Sequence, residues 1–334
     1  MPSPSRPSRP LIVRLRNWVG DVVLGLPALR RLADAGYALQ LVGKPWTADL
    51  LASTGWPVAT LPKTALERIG QMRALRAAAA AADPGFGGRI NAVCLPYSFG
   101  SALEFRLAGL RAIGHAWEGR GWLLSQRVPR PPGQHELEVY WRLADAVLGA
   151  DAPLPAAIGL VPSAAQRAEA RSLLAGRGIG PGFIAICPFA GGTYSGEDKS
   201  WPGFAEFAAR ALPDLGRPVL VCPGPGEEAL ARASFGGATL LPGVGLGTYA
   251  ALLEGAALMI SNDTGPGHLA AAVGTPLLSV LGPTEPSQWG AWGPCVQVVR
   301  RRPGWPEVDE VAAAARALLS GAPVSTAPAL RPLR

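Results

Sequence analysis

Apolar residues in this chain fall into short, mostly apolar runs, separated by longer stretches in which they recur every third or fourth position. The runs Leu11 to Leu15, Leu39 to Val42, Ala92 to Leu95 and Ala112 to His115 read as strands buried on both faces, since such strands need no polar side. Between them the period becomes helical. One helix begins near Asp21 with Val22, Val23, Leu26, Leu29 and Leu32 on its apolar face, and others are predicted over Thr47 to Ser53, Ala65 to Ala82, Ser101 to Gly109 and His135 to Leu148. This alternation predicts a parallel sheet covered by helices on both faces.

Gly149 to Pro162, rich in Pro, Gly and Ala, reads as an interdomain linker, and beyond it the alternation restarts. Strands are predicted at Phe183 to Cys187, Pro218 to Cys222, Thr239 to Leu241, Ala257 to Ile260 and Leu277 to Leu281. Helices are predicted at Ala164 to Leu174, Phe204 to Leu212, Gly226 to Ala233, Thr248 to Leu253 and Val308 to Leu319. The expected fold class is α/β, with two doubly wound domains, 1–155 and 156–334, and a last helix able to pack back on the first domain.

Ala257 to Thr284 holds a strand, a turn, a helix and a second strand in one unit. Ser261 to Gly265 supplies turn and N-cap residues, Pro266 suits the first helical turn, and Pro276 stops the helix before the next strand. A loop leaving the carboxyl end of such a strand lies where open α/β sheets bind ligands, and the N–H groups and dipole of the helix start favour an anion there. Thr264 adds a hydroxyl, Gly265 permits close approach of a phosphate, and Asp263 suits sugar hydroxyls better than an anion. His268 can donate to either. The same residues also read as an ordinary capped helix with a packed imidazole.

Composition widens the picture only in part. A chain of 334 residues exceeds what one core usually serves, and 49% hydrophobic with 16% charged residues supports large cores. The excess of 31 Lys+Arg over 24 Asp+Glu, a net +7, favours an anionic partner such as a nucleotide, a phosphorylated glycolipid or an anionic membrane surface. Nucleic acid is not expected, because the arginines are spread out and neither zinc-finger spacing nor an aromatic RNA-binding signature is present. Cys94, Cys187, Cys222 and Cys295 are far apart and read as free thiols in a reducing compartment. His115, His135 and His268 form no metal-ligand pattern, so no metal is expected. The apolar run after Pro10 is too short for a signal peptide core and no segment is long enough to span a bilayer, which predicts a cytoplasmic protein able to touch the inner face of the membrane.

A second strand-to-helix turn, Arg16-Asn17-Trp18-Val19-Gly20-Asp21, opens the first domain, and a cleft between the domains would set Asp21 opposite Asp263. A carboxylate on one side and an anion-binding helix on the other suit sugar transfer from a nucleotide diphosphate, with the base taking a proton from the attacking hydroxyl and a cation holding the departing diphosphate. Lys199, in the loop Gly191-Gly-Thr-Tyr-Ser-Gly-Glu-Asp-Lys-Ser-Trp-Pro202, is the natural cation, although the position alone also reads as a solvated loop lysine. Asp21 also reads as a helix-capping residue, and a helix start makes a carboxylate a weaker base, so catalysis there calls for burial or exclusion of water. Neither a P-loop nor a dinucleotide glycine fingerprint is present, which disfavours a nicotinamide dehydrogenase.

Asn17-Trp-Val-Gly-Asp-Val-Val with Leu26-Pro-Ala-Leu29, then Lys199-Ser-Trp-Pro202, then Ser261-Asn-Asp-Thr-Gly-Pro-Gly-His-Leu-Ala-Ala-Ala272 with Leu281-Gly-Pro-Thr284, together resemble the lipopolysaccharide heptosyltransferases, the ADP-heptose-using glycosyltransferases of family 9. The Trp-Val-Gly-Asp form is nearest to the heptosyltransferase II branch. The resemblance implies the GT-B fold of two Rossmann-like domains and an inverting, metal-independent, single-displacement transfer without a cofactor. The donor is an ADP-sugar and the acceptor a lipid-linked anionic glycan. It makes Asp21 the general base, Lys199 and Thr193 ligands of the nucleotide sugar, Asp263 a donor-sugar contact, and Thr264, Gly265 and His268 the diphosphate loop. Glu227 falls at the ribose and Val244 at the adenine, while Asn17, Trp18 and Gly20 face the acceptor. Arg106, Arg111, Arg120, Arg127 and Arg130 with Trp117 and Trp122 read as holding an anionic sugar or phosphate, or as solvated surface residues. The rival readings are the same fold with a UDP- or GDP-sugar donor, and a non-catalytic nucleotide-sugar-binding protein.

Overall fold

The structure is a computed structural model in which residues 9–321 are described. Its chain divides into two compact units, Met1–Pro155 and Ala156–Arg334. Unit 1 runs β1 (Arg9–Arg14), α1 (Val19–Asp34), β2 (Tyr37–Gly43), α2 (Trp46–Leu50), β3 (Val58–Thr60), α3 (Ala65–Ala82), β4 (Ala92–Cys94), α4 (Phe99–Leu107), β5 (Ala112–His115), β6 (Gln126–Val128) and α5 (Glu136–Leu148). All six strands are parallel, in the order β3-β2-β1-β4-β5-β6.

Unit 2 begins with α6 (Ala164–Ala175) and β7 (Phe183–Cys187), followed by a small hairpin of β8 (Thr193–Tyr194) and β9 (Glu197–Asp198). It continues through α7 (Phe204–Arg210), β10 (Val219–Val221), α8 (Glu228–Ser234), β11 (Thr239–Leu240), α9 (Leu246–Glu254), β12 (Ala256–Ser261), α10 (Gly265–Val273), β13 (Leu277–Leu281), α11 (Pro286–Trp289), β14 (Val296–Arg300) and α12 (Val308–Ser320). The order β11-β10-β7-β12-β13-β14 repeats that of unit 1: third, second, first, fourth, fifth, sixth, again all parallel. In such a sheet the order reverses between the first and fourth strands, and the loops leaving those two strands open a crevice at their carboxyl ends.

Burial explains why these segments are strands. Every residue of β7, β4 and β13 is buried, as a parallel strand covered on both faces requires. In unit 1 one covering layer packs Met72 and Ala79 of α3 and Ala102 and Phe105 of α4 onto Ile12, Val42, Ala92 and Cys94. In unit 2 α7 and α12 cover Ile184, Ile186, Leu258, Ile260, Leu278 and Val280. The apolar face of α12 is buried in its own unit through Val308, Val311, Ala312 and Ala315. Among the described residues no helix is long and apolar enough to cross a membrane.

Candidate active site

In unit 2 the site grows from three loops at the order reversal. The helix start is set by Thr264, whose extended backbone holds the N-cap position and whose hydroxyl accepts from Gly267 N at 3.3 Å. Pro266 has no N–H, so of the first-turn donors Gly265 is left to meet an anion, together with the helix dipole. The Thr264 hydroxyl donates to Cys187 Sγ at 3.7 Å, and burial pushes the Cys187 thiol up to about 12, which keeps it uncharged beside the start of α10.

The loop after β7 brings a cation to this helix start. Trp201 is buried and donates through Nε1 to Pro306 O at 2.9 Å, while its backbone N donates to Asn262 Oδ1 at 2.9 Å. Asn262 Nδ2 in turn donates to Pro188 O at 2.8 Å, so one buried amide ties together the exits of β7 and β12. Gly203 fits under this indole because any Cβ there would lie 2.5 Å from it. Anchored in this way, Lys199 reaches across 64 positions to donate to Asp263 O at 3.2 Å and Oδ2 at 3.3 Å. Thr284, at the exit of β13, donates to the same Oδ2 at 3.2 Å, and His268 Nε2 stands 3.6 Å from Oδ1. Burial opposes ionisation of Asp263, but His268 and Lys199 outweigh it and hold its pKa below the usual aspartate value. His268 Nδ1 is buried with no partner among the described residues.

The remaining unit 2 candidates stand apart from this cluster in different ways. Glu227 is half-buried, and its Oε2 accepts from Gly224 N at 2.7 Å, closing the turn before α8; its charge is felt at Cys187 and Tyr249, which places it near the β7 exit. Val244 is half-buried just before α9. Thr193 is exposed on the β8–β9 hairpin, opposite Asp198, and is not among the partners of Asp263. The hairpin is fastened at its other end by Arg302, which grips Glu197 with two bonds of 2.8 and 2.9 Å.

In unit 1 Asp21 is 8% exposed and lies in the first turn of α1, but it does not cap the helix: the N-cap position belongs to Trp18, whose side chain makes no capping bond. Arg16 Nε donates to Asp21 Oδ2 at 3.2 Å and Tyr140 OH to Oδ1 at 3.4 Å. Burial alone would depress Arg16, yet the groups around it, Tyr140, Asp21, Tyr97 and Glu136, raise its pKa and keep it cationic. Tyr97, leaving β4, has Arg16 4.3 Å and Arg130 4.4 Å from its ring centre and donates to buried Glu136, which also accepts from Arg130 at 3.0 Å. Tyr140 is delivered by α5, which Arg31 of α1 clamps through Asp145 and Ala150 O. Asn17 and Trp18 are exposed and Gly20 is half-buried. Arg120 overturns its expected role: it is fully buried and donates to the carbonyls of His115, Pro96 and Ser98, so it is neither a surface residue nor within reach of an acceptor.

The pattern search singled out Asp21, Lys199 and Asp263 but gave no role to Arg16, Tyr97, Glu136, Tyr140 or Asn262. Arg16 and Asn262 stand in the two strand-to-helix turns, whereas nothing local marks Tyr140, which is 119 positions from Asp21. Among the described residues no group of His, Cys, Asp and Glu is arranged to hold a metal ion.

Two Rossmann-like units, each with polar side chains gathered at its order reversal, define the class as the GT-B fold. The chain belongs to glycosyltransferase family 9 (heptosyltransferase), whose sequence profile matches residues 91–315. That stretch contains Lys199, Glu227, Asp263, Thr264 and His268, while Asn17 to Asp21 lie before it. The chain is similar to lipopolysaccharide heptosyltransferase 1 of Escherichia coli O18:K1:H7, at 38% identity over 114 residues, 32% of this chain and 34% of that protein. The chain spans only 17% to 35% of the length of the curated relatives it matches, which are heptosyltransferases 1 and 3. Its fold is that of E. coli ADP-heptose lps heptosyltransferase II, with a TM-score of 0.72 at 23% identity over 93% of this chain and 99% of the other. E. coli heptosyltransferase WaaC with ADP gives 0.68 at 22% identity over the same shares.

Proposed function

We propose that this protein is an inverting, metal-independent glycosyltransferase that moves heptose from ADP-heptose onto a lipopolysaccharide core or related lipid-linked glycan at the cytoplasmic face of the membrane. The observation that carries the reading is the convergence of Lys199 on the start of α10, beside Asp263 and Thr284. A fixed ammonium and a helix N-terminus supply the positive charge that a departing diphosphate requires, which is the work a divalent ion does elsewhere. The names of similar structures, one solved with ADP, point to the same nucleotide.

Unit 2 holds the donor, with the diphosphate at Gly265 and Lys199, Glu227 toward the ribose and Val244 toward the adenine. Unit 1 supplies the base. Asp21 takes the proton of an acceptor hydroxyl, whose oxygen attacks the anomeric carbon on the face opposite the diphosphate; the new C–O bond forms as the sugar–phosphate bond breaks and its electron pair leaves with ADP. One displacement inverts the anomeric configuration. Arg16 and Tyr140 fix the carboxylate for that transfer.

The test is calorimetric titration with ADP, UDP and GDP, with and without magnesium, followed by turnover of ADP-heptose with candidate acceptors in the presence of a chelator. Selective ADP binding and chelator-resistant turnover are expected. A preference for UDP or GDP would replace the donor, and turnover abolished by the chelator would remove the metal-independent mechanism.

A further inference from the structure

Unit 1 carries an exposed aromatic patch that the proposed chemistry does not use. Trp122 is 69% exposed, Trp117 44% and Phe99 39%, and the rings of Phe99 and Trp122 touch at 6.0 Å between centres. Side chains of this size are ordinarily covered. Through Trp117 the patch reaches the side chains around Asp21. Asp21 binds Arg16, Arg16 and Arg130 both lie over the Tyr97 ring, and Arg130 also lies 5.2 Å from the Trp117 ring; Phe99 follows Tyr97 by two positions.

The charge around the patch has one sign. Residues 97–130 contain five arginines and two glutamates, and one of the two, Glu104, is buried and already taken by Arg14 and Arg68. Arg106, two turns along α4 from Phe99, and Arg127, whose stem packs against Gly121 beside Trp122, are exposed and make no ion pair among the described residues. The acid left in the neighbourhood is Glu118, at the exposed turn next to Trp117. Tryptophan and phenylalanine rings flanked by unpaired arginines are the side chains that settle at the boundary of a bilayer with anionic headgroups, where rings enter the interface and guanidiniums stay with the phosphates.

We propose that the face formed by Phe99, Trp117 and Trp122 with Arg106 and Arg127 docks on an anionic lipid bilayer. The assignment deepens the proposed reaction, on which it rests for the presence of a lipid-linked acceptor, and it places the membrane next to the rim that carries Asp21. A second copy of the chain is the competing occupant, but a face rich in unpaired arginines repels its own copy while it attracts acidic headgroups.

The experiment is flotation of the full chain with vesicles of phosphatidylglycerol and phosphatidylethanolamine, against phosphatidylcholine alone, with no donor or acceptor present, so that the result does not depend on the proposed reaction. Wild type is expected to float with the anionic vesicles and to lose most of that binding as salt rises from about 0.05 M to about 0.5 M. The double variants Phe99→Ser/Trp122→Ser and Arg106→Glu/Arg127→Glu are each expected to bind roughly tenfold more weakly, with ADP affinity unchanged as the check on folding. Wild type that stays with the buffer, or variants that float as well as wild type, would overturn the assignment. So would sedimentation in which the Phe99→Ser/Trp122→Ser change splits a dimer while flotation stays the same, since the face would then belong to a second copy.

Discussion

Asp263 stays ionised in a place that burial makes unfavourable, and the groups that keep it so are also the groups a diphosphate would meet. Its pKa in the fold is depressed, so its contribution to stability is present in full above the unfolded value and is lost as pH falls through the folded one. Replacing it by Asn should cost about 2 kcal/mol at neutral pH, the scale of a charge-assisted bond to Lys199, and the difference should shrink only below about pH 4. Urea unfolding of both proteins at pH 7 and in acid measures this. A difference that closes near neutrality would place the titrating group elsewhere. Sequence pattern finds Asp263 through its turn, yet assigns it to sugar hydroxyls; that Lys199 and Thr284 also bind it depends on contacts across the sheet, which no local spacing encodes. For the same reason Asp21 is visible in its motif while Tyr140 is not.

At the scale of elements, the turn from β12 to α10 is legible because each position does one job. Gly267 illustrates it: a Cβ there would stand 2.5 Å from Ser261 Oγ, so a side chain at that position would push this buried hydroxyl off its 2.8 Å bond to Asn262 O. Gly267→Ala should destabilise the protein by about 1–3 kcal/mol through overpacking and weaken ADP binding as the helix start shifts. Ser261→Ala removes the clashing oxygen and leaves Cβ at 3.7 Å, so the double variant should recover most of the loss, which a double-mutant cycle reads directly. Simple addition of the two single effects would mean that the helix start tolerates a side chain there. The inner strands are equally legible, since β7 is an unbroken apolar run and β13 is broken only by Ser279. Of the edge strands only β11 is legible: β3, β6 and β14 are partly exposed, and their sequences, Val-Ala-Thr, Gln-Arg-Val and Val-Gln-Val-Val-Arg, do not stand out from loops. The β8–β9 hairpin, with two residues in each strand, carries no period at all.

For the whole molecule, the same strand order occurs twice and places polar groups at the same position in each sheet. In unit 1 the exits of the first and fourth strands carry Arg16 with Asp21 and Tyr97; in unit 2 they carry Lys199 and Asp263 to His268. Topology fixes where a site forms, and side chains decide its charge. Unit 1 presents a held carboxylate and unit 2 a held ammonium, which is the division that proton removal and diphosphate departure demand. Binding and chemistry should therefore be separable by mutation. Lys199→Ala should weaken ADP by roughly tenfold to a hundredfold, the worth of a charge-assisted contact, and leave adenosine almost unaffected. Asp21→Asn should leave both affinities intact and reduce turnover by about a thousandfold or more, as loss of a general base does. In the combined variant ADP affinity should match that of Lys199→Ala alone, because residues that share no partner contribute additively. Titration of the four proteins with ADP and adenosine decides the matter: an equal loss of both ligands in Lys199→Ala would remove the diphosphate contact, and weaker ADP binding in Asp21→Asn would remove the assignment of Asp21 to the acceptor.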